Sequence, residues 1–204
     1  YEGDGIEKNV KESLKYLKKA ADNGNATASY RYGYSKLKGI GTEIDKNEAA
    51  KYLKFAAENN VPDAMFYYGM MLLAGDSVPQ NRIQAARYFK VAADNGVNKA
   101  MYNLALMFYN GDVVQKNLIH AAKYFKKAAD NGDVEAMCCF GHMLKNGEGV
   151  ATSLETAALY MKMSADRGNV HAQKNFAEML KAGEGVERDR KEAARYLKMA
   201  SGKK

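Results

Sequence analysis

Apolar and small residues return along this chain on two nested periods. The short period is helical: four residues after Ala28 comes Tyr32, with Gly33 beside it, the spacing that lines one face of an α-helix. The long period is 36 residues, with neither insertion nor deletion. It carries Ala28, Ala64, Ala100, Ala136 and Ala172, then Tyr32, Tyr68, Leu104, Phe140 and Phe176, then Gly33, Gly69, Ala105, Gly141 and Ala177. Met71, Met107, Met143 and Met179, beside Leu72, Phe108, Leu144 and Leu180, extend the same face. The pattern predicts a first helix in every unit, with a small residue that lets a neighbouring helix come close. A glycine follows each one (Gly39, Gly75, Gly111, Gly147, Gly183) and predicts a left-handed C-terminal cap.

A second helix follows a short turn, clearest as Gly-Glu-Gly-Val at 147–150 and 183–186. It carries paired alanines, Ala49-Ala50 through Ala193-Ala194, then a tyrosine at 16, 52, 88, 124, 160 and 196 and a lysine two residues on. It ends in Ala-Asp-Asn-Gly or a variant; Asn60 stands where the other units have glycine. Asparagine is the second choice for a left-handed cap. Neither helix can bury its apolar face alone, whereas stacked neighbours make one continuous core. The expected fold is therefore all-α, a solenoid of helix-turn-helix units spanning 1–204. The units run 25–60, 61–96, 97–132, 133–168 and 169–204, after a partial unit at 1–24. A natural end would carry a polar capping helix. The half-unit opening at Tyr1 thus leads us to expect a piece of a longer protein.

The run Ala-x3-aromatic/Leu-Gly-x2-Leu-x2-Gly-x-Gly-Val, then Ala-Ala-x-Tyr-x-Lys-x-Ala-Ala-Asp-x-Gly, resembles the Sel-like repeat (SLR) family, relatives of the tetratricopeptide repeats. The resemblance recurs in every unit. The family usually places two aromatics, often including Trp, midway through the second helix. Here Leu53, Phe89, Phe125, Met161 or Leu197 follows the tyrosine and Trp is absent, a packing substitution. The resemblance implies a right-handed superhelix working as a non-enzymatic scaffold or adaptor. It spans roles from protein quality control to host–pathogen contacts and does not choose among them.

In such solenoids the first helix lines the concave surface. Counting 100° per residue away from the buried face reaches Tyr30, Tyr34 and Leu37, then Phe66, Met70 and Leu73, then Tyr102, Leu106 and Tyr109. The next two units place Cys138, His142 and Lys145, then Lys174, Glu178 and Lys181, at those positions. Contiguous exposed apolar surface marks an interaction site, and Tyr and Met are favoured interface anchors. The expectation is a Tyr-rich groove over about 27–110 that takes a protein or peptide, with a charged continuation.

A formal net charge of +7 raises nucleic acid as the alternative partner. The repeated lysines have acids four residues on (Asp22, Glu58, Asp94, Asp130, Asp166), which predicts i,i+4 pairs on a solvated outer face. A nucleic-acid groove would be basic with stacking aromatics, but this one mixes Lys99, Lys145, Lys174 and Lys181 with Asp63, Glu135 and Glu178. Candidate chemistry is sparse. Ser35-x-x-Lys38 and Ser201-x-x-Lys204 match one element of penicillin-recognising enzymes, and some bacterial relatives of the family are linked to β-lactams. The companion Ser-Asp-Asn and Lys-Thr-Gly motifs are missing. The Gly3-Asp4-Gly5 and Gly39-Ile40-Gly41 turns follow helices, so they are not nucleotide loops. Both cysteines fall together in Met-Cys-Cys-Phe-Gly-His at 137–142. Cys138 and His142 with His171 would be three zinc ligands if they met. Their repeat positions instead make them groove residues, and no metal or cofactor is assigned. Adjacent cysteines make no disulfide framework, which favours a reducing, cytoplasmic compartment. Asn25-Ala26-Thr27 is a chance glycosylation triplet. No apolar run reaches the ~18–20 residues of a membrane span.

Overall fold

The computed structural model describes residues 9–202; Tyr1, the Gly3-Asp4-Gly5 turn and Lys204 lie outside them. The described residues form eleven helices and no strand, in two compact units, one ending at Val97 and the other beginning at Asn98. The first unit holds α1 (Val10–Asp22), α2 (Ala26–Lys38), α3 (Lys46–Glu58), α4 (Pro62–Ala74) and α5 (Arg82–Asp94). The second holds α6 (Asn98–Asn110), α7 (Leu118–Asp130), α8 (Val134–Asn146), α9 (Leu154–Asp166), α10 (Val170–Ala182) and α11 (Arg190–Ala200).

The punctuation is local chemistry. Asn25, Asp133 and Asn169 accept from the backbone N–H groups of Ala28, Ala136 and Ala172, which satisfies donors that a helix start leaves unpaired. Asn25, the sequon residue, is thus a helix cap. Where Val61 offers no such acceptor, Pro62 opens α4 instead, a position where a missing N–H costs nothing. The first helices end on glycines at φ 71–77°, as the repeat predicts.

Within each repeat the two helices meet through the small residue. A Cβ on Gly33 would lie 3.0 Å from Leu53 Cγ and 3.2 Å from the Ala49 carbonyl oxygen; one on Gly141 would lie 3.1 Å from Met161 Cγ. The tyrosine of the second helix then meets the aromatic residue of the first edge to face. The centroids are 4.7 Å apart for Tyr32–Tyr52, 5.7 Å for Tyr68–Tyr88, and 5.0 Å for both Phe140–Tyr160 and Phe176–Tyr196. Such pairs add ~0.5–1.5 kcal/mol beyond their buried area. Successive repeats pack α3 on α4 in the first unit, and α7 on α8 and α9 on α10 in the second. The alanine pairs keep the packed helices close: Ala49, Ala56, Ala85 and Ala92 are fully buried.

The inter-helix turn has a residue at positive φ in four of its five copies, Val113 being the exception. Gly41, Gly149 and Gly185 supply it at 68–69°, but the residue one repeat after Gly41 is Ser77, at φ 60°. A left-handed backbone costs an L-residue ~1–2 kcal/mol, offset by glycine's larger unfolded-state entropy. Ser77→Gly is therefore expected to stabilise the protein by about 0.5–1 kcal/mol, read as a rise in the urea midpoint at unchanged slope.

Candidate functional site

In the first unit the first-helix residues come together as a tyrosine cluster, in a form that helix rotation alone does not predict. Tyr30, Tyr34 and Leu37 on α2 are half-buried, Leu73 likewise on α4, and Met70 is 38% exposed. Phe66 corrects the expectation. It is buried, set against Phe89 with centroids 5.8 Å apart, so it supports the surface from below. Its neighbour Tyr67 takes the surface place, 4.8 Å from Tyr34 and 6.3 Å from Tyr30 between centroids. The reason is that α2 and α4 touch. Their facing sides turn inward and bring Tyr67 into line with the α2 tyrosines. Burial pushes the Tyr30 hydroxyl up to about 12. Burial, then the Tyr34 hydroxyl, also raises Tyr67. The Tyr30 and Tyr67 rings thus stay neutral across the physiological range. The repeated pattern carried no mark for Tyr67, because the same position holds Arg31, Asn103, Cys139 and Asn175 in the other repeats.

In the second unit the corresponding residues enclose a cavity. Leu106, Tyr109, Asn110, Cys138, Cys139, His142, Met143 and Asn175 surround it, and Phe125 closes it below. Tyr102 leans on Phe125 beside it, with centroids 5.8 Å apart. Tyr109 donates to Glu148 at 2.9 Å. His142 is exposed and lies within hydrogen-bond range of Asn146. Lys145 pairs with Glu184 and Lys181 with Glu178, each at 2.7 Å, while Lys174 is exposed.

The reactive readings lose their geometry here. Burial raises both thiols, Cys139 to about 12, so both are protonated and poorly nucleophilic at neutral pH. Among the described residues no three His, Cys, Asp or Glu side chains stand close enough to hold a metal; His171 does not join Cys138 and His142. The Ser35 hydroxyl donates to the Arg31 carbonyl at 2.9 Å, and that of Ser201 to the Lys198 carbonyl at 2.8 Å, so each is engaged by its own helix. Among the described residues no helix is long and apolar enough to cross a membrane.

The repeated lysines hold their predicted carboxylates: Lys90–Asp94 at 3.1 Å, Lys126–Asp130 at 2.6 Å and Lys162–Asp166 at 2.7 Å. Exposed pairs of this kind contribute little individually. The carboxylates have a second partner that sequence reasoning missed. The tyrosine 30 residues on donates to the same acid, Tyr160 to Asp130 at 2.6 Å and Tyr196 to Asp166 at 2.5 Å; Tyr52 does so to Asp22. Tyr52, Tyr160 and Tyr196 therefore pack within their own repeats and staple them to the ones before. The matched 36-residue periods of Tyr and Asp were the available signal. Burial alone would raise the Asp166 carboxyl, but hydrogen bonds from Lys162 and Tyr196 together hold it below its ordinary range. A carboxylate depressed in the fold contributes stability above its unfolded value of ~3.9 and loses it as pH falls through the folded value. Tyr196→Phe is accordingly expected to cost about 1 kcal/mol at pH 7. The difference between wild type and Asp166→Asn should shrink below about pH 4, measured by urea unfolding at pH 7, 4 and 3.

Solved structures share this architecture. The chain is similar to a protective antigen present in uropathogenic Escherichia coli strains and displaying an SLR fold, with 29% identity and a TM-score of 0.85. That match covers 93% of this chain and 40% of the antigen, so this chain spans well under half of the antigen's length. It is also similar to a Sel1 repeat protein from Oxalobacter formigenes, at 29% identity and a TM-score of 0.81, covering 96% of this chain and 78% of that one. None of the curated proteins matches the chain. The Sel1 repeat model matches six times in succession, at 1–25, 26–61, 62–97, 98–133, 135–169 and 170–203, nearly the register read from the hydrophobic period. With the paired helices, the glycine caps and these matches in place, the chain belongs to the Sel1 repeat family.

Proposed function

We propose that this protein is a non-enzymatic scaffold or adaptor that holds a protein or peptide partner on the first-helix face of its repeats. Sel1 repeats typically serve as protein-interaction scaffolds, and the observation that carries the reading here is the tyrosine cluster of α2 and α4. Tyr30, Tyr34 and Tyr67 offer rigid rings with polar tips, and Met70 beside them is exposed and adaptable. Tyrosines supply large contact area at low entropic cost, and methionine suits adaptable binding surfaces. The reactive groups elsewhere are protonated thiols and helix-bonded serines, which supports binding over catalysis.

The test compares wild type with Tyr34→Ala/Tyr67→Ala/Met70→Ala as bait in native lysate. The expected result is loss of one and the same captured protein by at least about tenfold, the scale of a hot-spot cluster, at a nearly unchanged urea midpoint. Equal recovery by both baits would overturn the reading.

A further inference from the structure

The cavity of the second unit has a volume of about 280 Å³. An apolar cavity of roughly 150 Å³ holds a benzene ring, and small-molecule sites start near ~300 Å³. The space therefore suits one ring and the atoms that tether it. It exists because Cys139 stands at the repeat position that Tyr67 fills in the first unit; a thiol there leaves the volume of a ring empty.

We propose that this cavity receives one aromatic side chain of a bound peptide or protein segment, while the Asn110 and Asn175 carboxamides hold that segment's main chain. The inference rests on the reading of the protein as a peptide-binding scaffold and names the chemistry of the partner.

The walls select the ring. Cys138, Cys139 and Met143 place three sulfur-bearing side chains around the space, and sulfur favours aromatic edges over aliphatic groups. The Phe125 ring below, itself T-shaped to Tyr109 at 6.4 Å, offers a further aromatic contact. Burial keeps both thiols protonated, so the thiol side of the wall is uncharged. The ionic groups nearby already have partners: Glu148 accepts from Tyr109 and lies 3.9 Å from His142, Lys145 pairs with Glu184, and Lys181 with Glu178. A charged guest would enter an apolar space and compete with formed pairs, at a desolvation cost that a ring does not meet.

The rim selects a peptide. Asn110 and Asn175 line the mouth, both exposed. Each carboxamide presents an N–H donor and a C=O acceptor, the complement of a peptide group. A free aromatic molecule would use the cavity and leave these amides in water.

The test uses the whole chain with ¹³C-methyl methionine, the Met143 signal assigned through Met143→Leu. The probes are Ac-Gly-Gly-X-Gly-Gly-NH2 with X as Phe, Leu or Asp, together with benzyl alcohol. The phenylalanine peptide is expected to shift the Met143 methyl saturably and to bind at least about tenfold tighter than the leucine or aspartate peptides. Cys139→Phe, which refills the cavity, should abolish that shift. Asn175→Ala, a surface change with no packing role, should weaken the phenylalanine peptide about fivefold or more and leave benzyl alcohol unchanged. No Met143 response, or equal binding of the leucine and phenylalanine peptides, would overturn the aromatic assignment. Benzyl alcohol binding as tightly as the peptide, with Asn175→Ala silent, would overturn the main-chain assignment. The two readings fail separately. A silent Met143 with capture still lost in the first-unit triple variant removes this cavity alone. A responsive Met143 with capture unchanged in that variant removes the tyrosine cluster alone.

Discussion

Gly185→Ala is expected to destabilise the second unit by about 3 kcal/mol or more, whereas Gly168→Ala, 17 residues earlier, should cost about 1–2 kcal/mol. Both glycines have positive φ, 69° and 92°, so both substitutions carry the left-handed penalty. The surroundings separate them. A Cβ on Gly168 meets nothing within 4 Å, but one on Gly185 would lie 2.1 Å from the carbonyl oxygen of Leu154, the first residue of α9. That atom belongs to backbone and cannot swing aside, so the turn before α11 must leave the helix start of the preceding repeat. Gly149 repeats the geometry 2.2 Å from the Leu118 carbonyl, and Gly149→Ala should behave the same way. Urea unfolding of the three variants reads the difference. Equal costs at 168 and 185 would mean that the close turn-to-helix contact holds nothing together.

Phe89→Ala should cost about 3–5 kcal/mol, the range for deleting a buried aromatic ring, and should also weaken partner capture. Phe89 is fully buried and supports Phe66, which in turn stands 5.1 Å from Tyr67 between centroids. Removing the floor leaves Tyr67 without its backing, so an effect on stability and an effect on binding arise from one change. The same ring explains Gly69, whose added Cβ would fall 2.8 Å from Phe89 Cε1. Gly69→Ala should therefore be costly with phenylalanine at 89 and cheaper with leucine there. A double-mutant cycle in urea measures this coupling; strict additivity would show that the glycine serves something other than the ring.

The tyrosine cluster shows how far a periodic pattern reaches. Rotation by 100° per residue places Phe66 outward on an isolated α4. In the fold α4 lies beside α2 and over α5, and that pair of contacts buries Phe66 and brings out Tyr67. The staple of Tyr196 to Asp166 has the same character. Each residue is visible as a member of a 36-residue series, yet a bond across 30 residues appears only when successive repeats are stacked. The cavity beside Cys139 depends on an absence of volume at one repeat position, which no single-residue pattern marks.

The elements and their order are written into short stretches of the chain. The helical period, the glycines at φ 71–77° and the asparagine caps act over four or five residues, a range that a chain carries locally and repeats without change. The same stretches also mark the family, because six copies of one pattern leave little else to fit. Which face residues are rings at a surface, which are floor, and where space remains are matters of packing. Those outcomes depend on side chains from three or more helices meeting in close packing, where one ring's place is set by the volume of its neighbours.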